Sequence, residues 1–315
     1  MSQRAKERIL DILILLAALG LAVILIYPQY KMAQPTRVRI LIDRSVLSLP
    51  VFAAEAQGLF KEYKLIPEIV TVEDPAKRRD ALYRGECAFT FLPWAMILDE
   101  GHPVKVIGSA ETRLLRPAEA LLALPKSKIK RLRDLNRKKI GLLAETEGYF
   151  EELKQHFPLA IKRITEVVIE PEEITTLFSR RRVDCLFLFE PYRSLAVAQG
   201  ARVIQDAPLA FFIQRGYPVA GYLINRDFIA KDRIGAQRLR NAIDAAFRYI
   251  IRNRADAKRL LYDRLNIEGD PANVALVEFQ RMRELNEDAI RSYAQRFGLP
   301  VNIDSIIARP IDFER

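Results

Sequence analysis

The apolar and polar positions of the chain fall into three successive patterns. The first is a continuous apolar run, in which Ile9 to Tyr27 carries one charge, Asp11. At about 1.5 Å rise per residue this run reaches roughly 28 Å as a helix, close to the thickness of a bilayer core. It is apolar all round, so it lacks the polar face of a helix on a soluble core. Arg4, Lys6 and Arg8 precede it, and Tyr27, Tyr30 and Lys31 follow. Basic residues stay on the cytoplasmic side and tyrosines suit the far interface. The run is longer than a cleaved signal's apolar core of about 7–15 residues, and no good small-x-small cleavage site follows it. The pattern predicts an uncleaved signal anchor and linker over residues 1–35, a single membrane pass through 9–27, and residues 36–315 outside the cytoplasm.

The second pattern starts at residue 36. Short apolar stretches alternate with helical ones, and predict strands at 38–42, 65–72, 87–92 and 104–108. The same grammar restarts with strands at 118–124, 139–143, 166–169, 185–189, 202–204 and 220–224. Helices are predicted between them at 51–57, 75–84, 93–100, 149–156 and 172–180. Gly58 and Gly85 stand where the first two should stop. Alternation of this kind argues for an α/β architecture with parallel sheets. The third pattern, from residue 232, is helical. Apolar residues recur at spacings of three and four, predicting helices at 238–252, 255–265 and 272–297. The tail 299–315 carries no strong signal.

One nine-residue pattern occurs twice. Residues 86–94 read Glu-Cys-Ala-Phe-Thr-Phe-Leu-Pro-Trp, and residues 184–192 read Asp-Cys-Leu-Phe-Leu-Phe-Glu-Pro-Tyr. Each is a buried strand ending where a proline opens a helix. The repeat predicts two similar lobes and places Cys87 and Cys185 in separate cores. Cysteines so placed are too far apart for a disulfide and are expected to be reduced and buried.

Composition narrows the functional classes. The chain has 315 residues with 50 Lys or Arg, 40 Asp or Glu and a net charge of +10. Half of it is hydrophobic, which excludes collagen and intrinsic disorder. Two cysteines and two histidines exclude a disulfide scaffold and a Cys-rich metal centre. The basic residues are scattered, and their densest clusters, at 126–133, 137–139 and 180–182, are not interleaved with aromatics. A solvated basic surface is therefore expected, with no nucleic-acid partner. No GxSxG, Walker A, HExxH or GxGxxG motif is present. We expect no catalytic residues, no metal and no cofactor.

In open α/β sheets, ligands bind beyond the carboxyl ends of the strands. That rule selects Arg44, Ser45 and Ser48 after the first strand, Phe91 and Trp94 at the end of the third, and Arg113 after the fourth. In the second half it selects Glu145, Thr146, Tyr149, Glu190 and Tyr192. Trp94, the single tryptophan, is either a pocket wall or a core side chain, and Ser48 is either a ligand contact or a helix cap. Asp43, Glu111, Glu145, Glu147 and Glu190 share these loops with Arg44, Arg113 and Arg193. The local charge leaves the sign of the ligand open.

Several stretches resemble one family in order and spacing. Pro50-Val-Phe-Ala-Ala-Glu-Ala-Gln-Gly-Leu-Phe-Lys-Glu-Tyr63 is similar to the opening of the nitrate/sulfonate/taurine and thiamine-pyrimidine substrate-binding proteins of ABC transporters. Ala81-Leu-Tyr-Arg-Gly-Glu-Cys-Ala88, Gly101-His-Pro-Val-Lys-Val-Ile107 and Val183-Asp-Cys-Leu-Phe-Leu-Phe-Glu-Pro191 resemble later motifs of that family. Pro125 to Gly141 is the most specific stretch, with Asn136 in place of the family's glycine. The resemblance spans roughly residues 38–260. It implies a two-lobed type 2 periplasmic-binding-protein fold. Lobe 1 would hold residues 36–116, lobe 2 residues 117–219, and residues 220–315 would return to lobe 1. It also implies an extracytoplasmic, membrane-anchored binding protein that delivers a small organic or anionic solute to an ABC permease and its ATPase. A ligand sensor for a membrane partner is the alternative. An enzyme on the same fold fits less well with so few His and Cys.

Overall fold

The computed structural model describes residues 14–16, 19–21, 33–98, 103–157, 163–176, 182–300 and 303–313. Eleven strands are described. They are β1 (Thr36–Ile42), β2 (Leu65–Thr71), β3 (Phe89–Pro93), β4 (Val104–Thr112), β5 (Glu119–Ala123), β6 (Lys139–Leu142), β7 (Thr165–Val168), β8 (Cys185–Phe189), β9 (Arg202–Asp206), β10 (Tyr217–Asn225) and β11 (Glu278–Arg281).

They form two sheets, ordered β11-β4-β10-β3-β1-β2 and β7-β6-β8-β5-β9. Apart from β11 the two have the same plan. β2-β1-β3 and β7-β6-β8 run parallel, and β10 and β5 then insert antiparallel before the outer strands β4 and β9. The repeated nine-residue segments supply β3 and β8, which hold equivalent central positions. Every residue of β3, β5, β8 and β10 is buried. These strands are covered on both faces, so they read as continuous apolar runs rather than alternating ones. Both cysteines are free and buried, and burial pushes the Cys87 thiol up to about 12.

The helix Arg233–Arg252 covers the first sheet. Leu239, Ala242, Ile243, Ala246, Phe247 and Ile250 form its buried stripe at the three–four spacing expected from sequence. Each large side chain so buried contributes about 1.5–3 kcal/mol. The chain leaves the first sheet after Thr112 and returns to it at Tyr217, where these two residues pair.

Three expectations are revised. The sheets are mixed and not parallel throughout, because β10 and β5 run antiparallel to both their neighbours. The helix expected at 272–297 is divided: a turn at Pro271–Asn273 and strand β11 precede a helix over Glu287–Phe297 only. Residues 278–281 have half-buried ends and a buried centre, as an edge strand does. The helix expected at 172–180 begins as a turn at Pro171–Glu173, and 177–181 lie outside the described residues. The membrane-spanning helix expected at 9–27 also lies largely outside them. Among the described residues no helix is long and apolar enough to cross a membrane.

Candidate functional site

The carboxyl ends of the parallel strands in the two sheets face one another across a cleft. Asp43, Ser45, Val46, Leu47, Arg78, Phe91 and Pro93 line it from the first sheet, and Glu145, Thr146, Tyr149 and Phe189 from the second. The cleft is nearly shut. Its cavity is about 10 Å³, room for roughly one water. Hydrogen bonds cross it directly, since Val46 N donates to Glu190 O at 3.3 Å and the Tyr149 hydroxyl donates to Val219 O at 3.0 Å.

Asp43 ends the path of β1 and is fully buried. Its Oδ1 accepts from Ser45 N at 3.0 Å and Ser45 Oγ at 2.6 Å. Ser48 Oγ donates to Asp43 O at 2.5 Å and accepts from Asp43 N at 3.2 Å. The two serines therefore shape the Asp43 loop. Ser45, not Ser48, provides the side-chain cap of the following turn, accepting from Leu47 N at 3.1 Å.

Arg78 stands behind Asp43 and is 1% exposed. Its Nη2 lies 3.0 Å from Asp43 Oδ2. Its Nη1 donates to Val72 O at 2.6 Å and Glu73 O at 3.0 Å, and the guanidinium sits 5.0 Å over the Phe91 ring. A buried ion pair persists only when its remaining hydrogen-bonding groups are served as well. Here two carbonyls and an aromatic face hold the guanidinium in place.

Glu145 faces this pair from the second sheet, and no basic group pairs with it among the described residues. Burial, reinforced by the nearby Asp43 and Glu73 charges, pushes its carboxyl up to about 8. At neutral pH it is mainly the protonated acid. Glu190 is fully buried and ties the lobes together. Its Oε1 accepts from Arg193 at 3.2 Å, from Ser194 Oγ at 2.9 Å and from Ala275 N at 3.3 Å.

The structure brings Ser45, Phe91, Glu145, Thr146 and Tyr149 to the cavity. The other expected site residues lie elsewhere. Arg44 turns to the cleft mouth, where it pairs with Glu73 at 2.6 Å on one side and with Glu170 at 3.8 Å and Glu172 on the other. Ser48 packs beneath the Asp43 loop, and Tyr192, buried in the second core, stands beside Glu145 and Arg44 at the edge of the cleft without lining the cavity. Trp94 points away from the cleft. Its Nε1 donates to Ser109 Oγ at 3.1 Å and its ring packs over Gly221. Arg113 sits at the chain crossing, donating to Glu111 Oε1 at 2.6 Å. Trp94 is thus a core side chain, so it is not placed to report ligand by direct contact.

Two sheets built to one plan, each offering its strand ends to a shared cleft, are the setting for comparison with known proteins. A family model described as NMT1/THI5 like matches residues 47–257, two thirds of the chain. The chain belongs to the NMT1/THI5-like family. Solved structures with the same fold include the alkanesulfonate-binding protein SsuA from Xanthomonas axonopodis pv. citri. It has a TM-score of 0.65 at 18% identity over 88% of this chain and 99% of that one. The periplasmic nitrate-binding protein NrtA from Synechocystis PCC 6803 matches with a TM-score of 0.59 at 12% identity, over 86% of this chain and 84% of that one. The desulfurization enzyme DSZB matches at 0.64 and 13% identity, over 88% and 97%. No curated protein sequence matches the chain. This family member therefore has a two-sheet, periplasmic-binding-protein-like fold that serves both binding proteins and an enzyme.

Of the charged residues at the cavity, Asp43 was not singled out as a ligand contact and Arg78 lies outside every selected stretch. Asp43 stood in a selected loop, among charges read as cancelling. Arg78 stood inside a predicted helix, and only its inward direction, set by the packing of that helix on β3, brings it to the cleft.

Proposed function

We propose that this family member is an extracytoplasmic solute-binding protein that captures a small molecule between its lobes and presents it to an ABC permease. The observation that carries the reading is the cleft itself. It is enclosed by both sheets, lined by aromatic and ionisable side chains, and crossed among the described residues by hydrogen bonds and the Arg44 ion pairs. Such contacts can break and re-form as two lobes hinge about residues 113–118 and 207–216. In this reading lobe 1 comprises 36–116 with the returning chain, and lobe 2 the residues between the crossings. Residues 9–27 hold the protein to the membrane, with 36–315 on the outer side.

Binding without chemistry is supported by what lines the cavity. It holds neither His nor Cys, and its serine hydroxyl is committed to Asp43. The named ligands of SsuA and NrtA support the small-solute class. The test is a thermal-shift screen of the 315-residue chain in neutral detergent against small organic and inorganic solutes. A ligand that binds only the folded state raises stability, by about 2.7 kcal/mol at one hundred times its Kd. We expect a clear rise in melting temperature with a narrow chemical group of solutes. A flat response across all of them overturns solute binding.

A further inference from the structure

We propose that the solute taken by this cleft is an organic cation that presents N–H donors from a flat apolar body, and not an oxyanion. The inference rests on the solute-binding reading above and goes on to name the class of solute.

The charge around the cleft runs against that of the protein. The chain carries +10 overall. At the cleft and its mouth, the carboxylates of Asp43, Glu73, Glu170 and Glu172, with the protonated Glu145 beside them, outnumber the guanidinium groups of Arg44 and Arg78 that pair with them among the described residues. Low-dielectric walls lined by one sign of charge concentrate ions of the other sign.

Asp43 Oδ2 is fully buried at the cavity and meets only Arg78 Nη2, at 3.0 Å, which leaves it a lone pair for a second donor. Glu145 faces it from the opposite sheet without a counter-ion. An N–H donor held between these two carboxyl groups meets an acceptor on each lobe; the cavity as it stands admits about one water, so the lobes part enough to seat the solute and then hold it from both sides. The cation available to an anionic solute is already engaged. The Arg78 head is held by Asp43, Val72 O, Glu73 O and the Phe91 face, and only its Nε, on the stem side, lacks an acceptor. The remaining walls, Phe91, Tyr149 and Phe189, offer aromatic surface, which attracts a cation over its faces.

Proton linkage makes the class measurable. The groups facing Glu145 are Asp43, Glu73 and Arg78 from the first lobe, with Tyr149 and Tyr192 from its own. Empty, the Glu145 carboxyl holds its proton up to about pH 8. A bound cation favours the carboxylate, so binding below that pH expels a proton. Affinity for a cation then falls as pH falls, approaching tenfold per unit below about pH 8.

The test is calorimetry on the 315-residue chain in neutral detergent with three probes of one shape: benzamidinium, neutral benzamide and benzenesulfonate. Benzamidinium is expected to bind at least tenfold more tightly than benzamide. It should release close to one proton at pH 7, read from buffers of different ionisation heat. Glu145→Gln keeps the shape of the side chain and is expected to abolish both the proton release and the pH dependence. Asp43→Asn is expected to weaken benzamidinium at least tenfold, and Glu145→Gln keeps the test open should that variant not fold. Binding of benzenesulfonate but not benzamidinium overturns the cation class and leaves solute binding standing. Silence of all three probes also overturns the class, and the broad solute screen decides separately whether solute binding survives.

Discussion

Arg78→Met is expected to lower the stability of the fold by about 3–5 kcal/mol, the cost of stranding one member of a buried ion pair. Methionine preserves much of the apolar stem, so the loss measures the guanidinium and not its volume. Three things go at once: the ion pair to Asp43, the two bonds to Val72 O and Glu73 O, and the face of Phe91. Asp43 then remains fully buried with a charge and no counter-ion. Adding Asp43→Asn to Arg78→Met removes that charge and is expected to restore a substantial part of the loss, on the order of half. Urea unfolding followed through Trp94 reads both variants, since this lone tryptophan is 1% exposed and packed against the first sheet. A loss under about 1 kcal/mol for Arg78→Met contradicts the ion pair as the support of the cleft floor.

Glu119→Gln is expected to stabilise the protein, but only above mid-range pH. Glu119 begins β5 immediately after the first chain crossing and is fully buried. Its Oε2 accepts from the Thr112 hydroxyl, and its Oε1 has no partner. Burial pushes this carboxyl up to about 7, against an ordinary 4.5. The folded state thus holds a proton that the unfolded state has released between those values. Stability contributed by the protonated form is complete below about pH 4.5, declines as pH rises, and is gone above about pH 7. At about 1.4 kcal/mol per unit the loss is about 3 kcal/mol. Glutamine carries no such penalty. Melting curves at pH 5 and pH 8.5 should show the variant close to the parent at the first and several degrees above it at the second. Equal shifts at both values rule out ionisation as the cause.

The sheets were legible in the sequence because their central strands are buried on both faces. Four strands without an exposed residue read as apolar runs whatever lies beyond them. β11 was not legible. Its four residues, Glu-Phe-Gln-Arg, sit at a sheet edge and merge with the periodic stretch that follows, so the segment reads as one helix. The cavity was half legible. Strand ends reliably deliver Ser45, Phe91, Glu145, Thr146 and Tyr149, because the next residue or turn after a buried strand has nowhere else to point. Side-chain direction within those loops is set by partners distant in sequence. Arg44 follows Glu73, Glu170 and Glu172 to the mouth, and Trp94, one residue past Pro93, turns beneath β10 to reach Ser109. Arg78 shows the converse, a helical arginine drawn inward by a buried aspartate 35 positions earlier.

The central claim is that the lobes close on a solute held between Asp43 and Glu145. Spin labels at Lys77→Cys and Glu147→Cys test it most directly. Both positions are exposed, one on each lobe. The native thiols do not interfere, since burial leaves Cys87 and Cys185 protonated and out of reach. With a solute that raises the melting temperature, the distance distribution measured by pulsed electron resonance should collapse to a single short, narrow peak, from a broader and longer one without it. An identical distribution with and without a solute that demonstrably binds contradicts capture by lobe closure.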